Sequence, residues 1–265
     1  MSKTDILYNI VAQTKEDLIS RKKNKSVSAF KDSKFYYEPC RGFAKSLAGN
    51  DFVSIIAEVK KASPSKGVIR KDFDPLTIAE QYVDGGATAM SVLTEERFFQ
   101  GSLSYLEAIR SRFPLPLLRK DFIVDFYQVE EAKAHGADAI LLIATCLDRS
   151  LLQELHHAAE EIGMDCLVEC YDEDDFEKLD FNHVRCYGVN NRNLKTFEVN
   201  VHGGIELLNK APQSVIKVSE SGLSTPNDIQ LLGESGIHAA LIGEFFMRQK
   251  HPGSALKQFI EESRN

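Results

Sequence analysis

Eight short apolar runs recur along the chain: VSIIAEVK (53–60), ATAMSVLT (87–94), LPLLRK (115–120), ADAILLI (137–143), MDCLVEC (164–170), VRCYGVN (184–190), SVIKVSE (214–220) and IHAALIG (237–243). Most are apolar at consecutive rather than alternate positions, the pattern of strands covered on both faces. Between them lie stretches with helical punctuation. Asp74-Pro75 opens one that ends at Gly85-Gly86, and Asp125 opens another that ends at Gly136. A third runs from Asp148 to Gly163, and Thr225-Pro226 opens a fourth that stops near Gly233 or Gly236. Aspartate or threonine at the N-cap, proline in the first turn and glycine past the last turn satisfy the backbone groups that helix ends leave over.

Alternating strands and helices predict right-handed crossovers and parallel pairing, and eight such units close a (β/α)8 TIM barrel. The 265 residues suit that fold. An open doubly wound sheet would usually carry G-x-G-x-x-G after its first strand, and none is present. Residues 1–50 precede the first strand. They read as a helical extension, ILYNIVAQTKEDLISRKK, followed by an aromatic stretch with Phe30, Phe35, Tyr36, Tyr37 and Phe43, packed on a barrel spanning 51–265 in one domain. The basic run RKKNK at 21–25 reads as a solvated loop after that helix.

Composition narrows the function. Lys plus Arg number 32 against 39 Asp plus Glu, a formal net charge of −7, so no broad grip on nucleic acid or an anionic membrane is expected. Five cysteines, an odd number, suggest free thiols in a reducing cytoplasm, and Cys166 and Cys170 read as core residues on one face of a strand. The N-terminal apolar run, interrupted by acidic residues, is too short for a signal core or a membrane span. The seven histidines are scattered without metal-ligand or triad spacing.

In a parallel barrel the active site forms at the C-terminal strand ends, and reactive side chains collect there. The runs end, in order, in Glu58 and Lys60, Thr94 and Glu95, Lys120 and Asp121, Glu169, Asn190 to Arg192, Ser219 to Ser221, and Gly243. Glu58 and Lys60 point to the same side of their strand, where an unpaired charge would cost several kcal/mol. A structural salt bridge is the bland explanation. Lys120 is expected to enter a field already holding Lys60, which would lower one lysine pKa and suit a proton donor near neutral pH. The small-residue turn Ser219-Glu220-Ser221-Gly222 and the turn at Gly243 follow the barrel phosphate-site pattern, with Arg192 close enough to add formal charge. Glu244 would repel a phosphate, so contact beside Gly243 is assigned to backbone alone.

These segments resemble the indole-3-glycerol-phosphate synthase family of tryptophan biosynthesis. IIAEVKKASPSKG, SVLTEERFFQGS, LLRKDFIVD, GADAILLI, LVECYDEDD, GVNNRNLKTF, VSESGL and LIGEFFMR follow the family's order from about residue 53 to 254. The resemblance implies ring closure of 1-(2-carboxyphenylamino)-1-deoxyribulose 5-phosphate with loss of carbon dioxide and water, without a metal or organic cofactor. It implies Lys120 as general acid, Glu169 as general base, Lys60 near the substrate anion and as a candidate proton donor with Glu58 assisting or orienting it, Asn190 and Ser221 as polar positioning residues and Glu220 as a supporting carboxylate. Phosphate would be held by Arg192, Ser221, Gly222 and Gly243, the ring by Phe99, Phe122 and Leu194, and Ser63-Pro64-Ser65 would form a mobile loop over the site.

The chain departs from the family pattern after Glu169, where Cys170 and Tyr171 stand in place of the commoner Val-His. Apart from the phosphorylated small molecule, the partners implied are transient contacts with other tryptophan-pathway enzymes. Two other readings compete. A phosphoribosylanthranilate isomerase-like barrel would pair a cysteine base with an aspartic acid, and Cys170 is near a strand end. A non-catalytic phosphosugar-binding barrel would keep the glycine turns and leave both lysines and Glu169 unexplained.

Overall fold

A computed structural model of the chain describes residues 6–193 and 198–264. Eight parallel strands close a barrel: β1 (Ser54–Val59), β2 (Ala89–Leu93), β3 (Leu117–Lys120), β4 (Ala139–Ile143), β5 (Asp165–Cys170), β6 (Cys186–Asn190), β7 (Ile216–Glu220) and β8 (Ala239–Ile242). Each pairs with its sequence neighbours, and β8 closes on β1 with Ser54 opposite Ala239. The N-terminal part forms α1 (Ile6–Asn24) and α2 (Phe43–Leu47). Around the barrel follow α3 (Pro75–Asp84), α4 (Leu103–Arg112), α5 (Phe126–Ala134), α6 (Arg149–Glu161), α7 (Glu173–Phe176), α8 (Val201–Leu208), α9 (Pro226–Glu234), α10 (Glu244–Met247) and α11 (Pro252–Ser263).

The helix starts follow the residues that signalled them. Asp74 accepts from Thr77 N at 2.7 Å ahead of Pro75, and Asp125 and Asp148 cap α5 and α6 in the same way. Thr225 and Asp228 cap α9 reciprocally. Between β5 and β6 the helix shrinks to the four residues of α7, shorter than the even alternation of the sequence suggested.

Side chains alternate between the barrel interior and the layer beneath the helices. Ile56, Leu118, Leu167, Val218 and Leu241 fill the interior, while Ile55, Leu117, Val168 and Ile242 pack outward. Phe43, Ala44 and Leu47 of α2 join the interior cluster, and Ala44 N donates to Asp165 at 2.9 Å at the start of β5, so α2 closes the N-terminal end. Ile10 of α1 joins the same cluster beside Phe122 and Phe99, so α1 lies across the opposite mouth. Cys166 and Cys170 are buried in the outward layer, and all five cysteines are unpaired.

One expectation for the extension is corrected. RKKNK is solvated from Lys22 to Lys25, as expected, but it is not a loop: α1 continues through Asn24, Arg21 pairs with Glu131 of α5, and Lys22 lies 2.6 Å from Asp125. Glu131 is buried, so Arg21, facing it, is held against α5 while the residues after it stay in solvent. Among the described residues, no helix is long and apolar enough to cross a membrane.

Candidate active site

The interior period of two carries each strand to a last inward residue at the C-terminal mouth: Glu58, Lys120, Glu169, Asn190 and Glu220, with Gly243 just past β8. All six line one cavity of about 480 Å³. Lys60, Ser63, Phe99, Phe122, Arg192, Ser221 and Gly222 line it as well. Leu194 lies outside the described residues.

Lys120 is the hub. Its Nζ lies 2.9 Å from Glu169 Oε2 and 2.5 Å from Glu220 Oε2. Gly188 makes this possible, because a Cβ there would collide with the Glu220 carboxyl. Gly243 plays the same part for Glu58, whose carboxylate pairs with Lys60. The expectation of a lowered pKa in one of the two lysines does not hold for Lys120: burial pulls it down, but Glu169, Glu220 and Glu58 outweigh that and hold it above the ordinary lysine range. Lys60 pairs with Glu58 instead. Burial pushes Glu169 up, yet the Lys120 ammonium prevails and keeps its carboxyl below the usual range. Glu220, buried and beside the Glu169 charge, is pushed up to about 8. Two carboxyls sharing one ammonium are thus pushed in opposite directions, the condition for separate acid and base roles.

Glu95 accepts from the backbone N–H groups of Phe98 at 2.7 Å and Phe99 at 3.0 Å, folding the turn that presents the Phe99 ring 6.1 Å from Phe122. On the opposite wall, Asn191 donates to Ser219 Oγ and to the Ser221 carbonyl, both at 2.9 Å. That turn holds Ser221 at φ 68° and Gly222 at φ 78°, and a non-glycine residue in the left-handed region is a conformation that clusters at ligand clamps. Arg192 meets Glu244 at 3.8 Å, and Glu244 also binds Arg248 at 2.9 Å, so Glu244 acts here as a counter-ion to two cavity arginines. Ser63 ends the first strand of a hairpin pairing residues 62–63 with 67–68, and Pro64 and Ser65 begin its turn beside the cavity. Cys170, the base an isomerase would need, faces away from the cavity and is fully buried, with burial raising its thiol.

A sequence model of the indole-3-glycerol phosphate synthase family matches residues 7–259. The chain belongs to that family. An indole-3-glycerol phosphate synthase of Salinibacter ruber is 48% identical over 98% of this chain and 96% of its own length. Those of a Polaromonas species and of Desulfotalea psychrophila are 45% and 46% identical, each over at least 96% of both chains. Among solved structures, KGPDC of Streptococcus mutans aligns with a TM-score of 0.60 at 14% identity, over 80% of this chain and 98% of that one, a likeness of fold.

Several cavity residues of this indole-3-glycerol phosphate synthase family member escaped the sequence reading. Ile6, Leu7 and Ile10 of α1 form an apolar wall opposite the lysines. Their spacing marks one helix face, which read as packing on the barrel; the signal for a site was only that the helix precedes the first strand. Arg248 and Lys66 add cationic groups, and Tyr171 reaches in from the end of β5. Among the described residues, no group of three or more His, Cys, Asp or Glu is arranged to hold a metal.

Proposed function

We propose that the chain closes the indole ring of indole-3-glycerol phosphate from 1-(2-carboxyphenylamino)-1-deoxyribulose 5-phosphate, releasing carbon dioxide and water, as its family name indicates. The supporting observation is that Lys120 Nζ lies within 2.5–2.9 Å of both Glu169 and Glu220, beside an aromatic slot and a strained small-residue turn.

Ring closure requires an electron-rich ring carbon to attack a ketone while charge develops on the ketone oxygen. Lys120, charged across the neutral range, stabilises that oxygen and hands over its proton as the carbon–carbon bond forms, a role typically worth about 10²–10⁴ in rate. Carbon dioxide then leaves the carbon that carried the carboxylate. In the dehydration the hydroxyl takes a proton from the Lys60 ammonium and leaves as water, while ionised Glu169 accepts the proton lost by the adjoining carbon beside the nitrogen. Lys60 receives the substrate carboxylate, with Glu58 as its resting partner. Asn190 orients the sugar, and Glu220 sets the field around Lys120. Phe99 and Phe122, with Leu194 as expected from the family pattern, enclose the ring. Arg192 and the backbone at Ser221, Gly222 and Gly243 anchor the phosphate, and the hairpin of Ser63 covers the mouth.

In this reading residues 1–50 act as an extension of one barrel domain, and the enzyme works in the cytoplasm with transient contacts to other enzymes of the tryptophan pathway. The test is incubation with the carboxyanilino-deoxyribulose phosphate. Indole fluorescence and carbon dioxide should appear in equal amounts. Ketose isomerisation without carbon dioxide would instead favour the isomerase reading, and tight binding with no turnover the silent barrel.

A further inference from the structure

Two asparagines follow one another at the end of β6, and the alternation of the strand sends them apart. Asn190 lines the cavity, whereas Asn191 is buried outside it and has no part in the roles above. Its Nδ2 donates to Ser219 Oγ and to the Ser221 carbonyl, each at 2.9 Å, and its backbone N–H donates to the Glu220 carbonyl at 2.8 Å. A carbonyl can only accept, so it is the nitrogen of the amide that faces Ser221. Three successive residues at the end of β7 are thus held by one residue of β6's exit. The amide oxygen has no such use. It lies against Gly204 of α8, where a Cβ would collide with it, and it has no hydrogen-bond partner among the described residues. A buried oxygen left unpaired costs stability, and an apolar side chain of similar shape would avoid that cost. What the amide supplies and leucine could not is the pair of hydrogens aimed at β7 and the turn after it.

We propose that Asn191 is a positioning residue for phosphate: it latches the Ser221 carbonyl and so keeps the Ser221-Gly222 turn in the left-handed conformation that presents its backbone to the cavity. This inference rests on the assignment of that turn to the substrate phosphate under the proposed function. Ser221 sits at φ 68° and Gly222 at φ 78°. Glycine takes that conformation freely, but serine does so at a cost, and something must hold it there. Asn191 grips the serine, the residue that needs holding. It is itself fixed, since its carbonyl accepts from Asn200 N at 2.9 Å, and Asn200 caps α8 by accepting from Gly203 N at 3.0 Å. Support therefore runs from the start of α8 through Asn191 to the turn. Because Asn191 does not line the cavity, it acts on substrate through the turn alone.

The test is Asn191→Leu, which keeps the branching of the side chain and removes both donors. Phosphate is remote from the reacting carbons, so the loss should fall on affinity. KM for the carboxyanilino-deoxyribulose phosphate should rise about 10-fold or more while kcat changes less than about threefold. The Kd of inorganic phosphate, measured by calorimetry, should rise by a similar factor. Unchanged KM and phosphate affinity would overturn the proposal, and a lowered melting temperature beside them would mark Asn191 as a staple between strands. A second variant reads the latch itself, because Ser221→Gly removes the side chain that makes the left-handed conformation costly. Asn191→Leu should therefore raise the Kd of phosphate less in the Ser221→Gly background than in the unaltered chain. Equal increases in the two backgrounds would overturn the latch. Should Asn191→Leu fail to fold, Asn191→Ala adds no bulk against Gly204 and is read in the same way. If the unaltered chain binds phosphate but releases no carbon dioxide, the ring-closure reading falls and phosphate affinity still decides the latch. If it turns over and Asn191→Leu leaves KM and Kd as they were, only this inference falls.

Discussion

Lys120 shows why the identity of a site residue can be read from sequence while its state cannot. A lysine at the end of an apolar strand must lie at the barrel mouth, and it does. Its pKa, however, depends on which charges face it from other strands. Two neighbouring lysines predicted a lowered value in one of them, but Lys60 is taken by Glu58, and Lys120 meets Glu169 and Glu220. The lysine is therefore already charged when substrate arrives, and its contribution is a fixed positive charge with a transferable proton. Lys120→Met should lower kcat by at least ~100-fold while leaving phosphate-ligand affinity within a fewfold, measured by single-turnover kinetics and by titration with a non-reacting sugar phosphate. Near-normal turnover would remove Lys120 from the acid role.

At the scale of elements, every barrel strand and the boundaries of α3, α5, α6 and α9 were legible, because buried strands and capped helices are specified locally by apolar runs, aspartates and glycines. What local pattern cannot specify is where an extension docks. The anchor of α1 is a buried residue that strand periodicity turns outward: Arg119 of β3 binds Asp121 at 2.9 Å, Glu131 of α5 at 2.9 Å and the Gln128 carbonyl at 2.9 Å. Glu131 in turn pairs with Arg21 of α1. The same strand thus presents Lys120 to substrate on one face and ties the extension, whose Ile6, Leu7 and Ile10 wall the cavity, on the other. RKKNK looked like a loop because the acidic partners of Arg21 and Lys22, Glu131 and Asp125, lie about a hundred residues further on. Arg119→Met leaves Asp121 and Glu131 buried without their shared guanidinium, and breaking such a pair costs about 3–5 kcal/mol. Urea unfolding at neutral pH should report a loss of that size; a change below about 1 kcal/mol would show that α1 and α5 relax without it.

Across the whole molecule the two ends of the barrel solve opposite problems. At the N-terminal end Asp138 is fully buried and satisfied, accepting from Arg110 at 2.6 Å, Arg41 N at 2.7 Å and Leu117 N at 2.8 Å. At the mouth, Glu220 is equally buried but lies against Glu169, with its Oε1 lacking a hydrogen-bond partner among the described residues. Because its folded pKa is raised to about 8, its contribution to stability is complete below the unfolded carboxyl range and lost as pH rises through that value. Glutamine at 220 does not titrate. The melting temperature of Glu220→Gln relative to the unaltered chain should therefore rise between pH 5 and pH 9, with each kcal/mol worth about 2–4 °C in a chain of about this size, while turnover falls. Asp138→Asn should do the reverse, losing about 3–5 kcal/mol with kcat unchanged, since Arg110 is left without its buried counter-ion far from the cavity. Thermal melts of both variants at the two pH values, read beside their kcat, test the division directly: a Glu220→Gln difference that stays constant with pH would mean the mouth carries no such electrostatic cost.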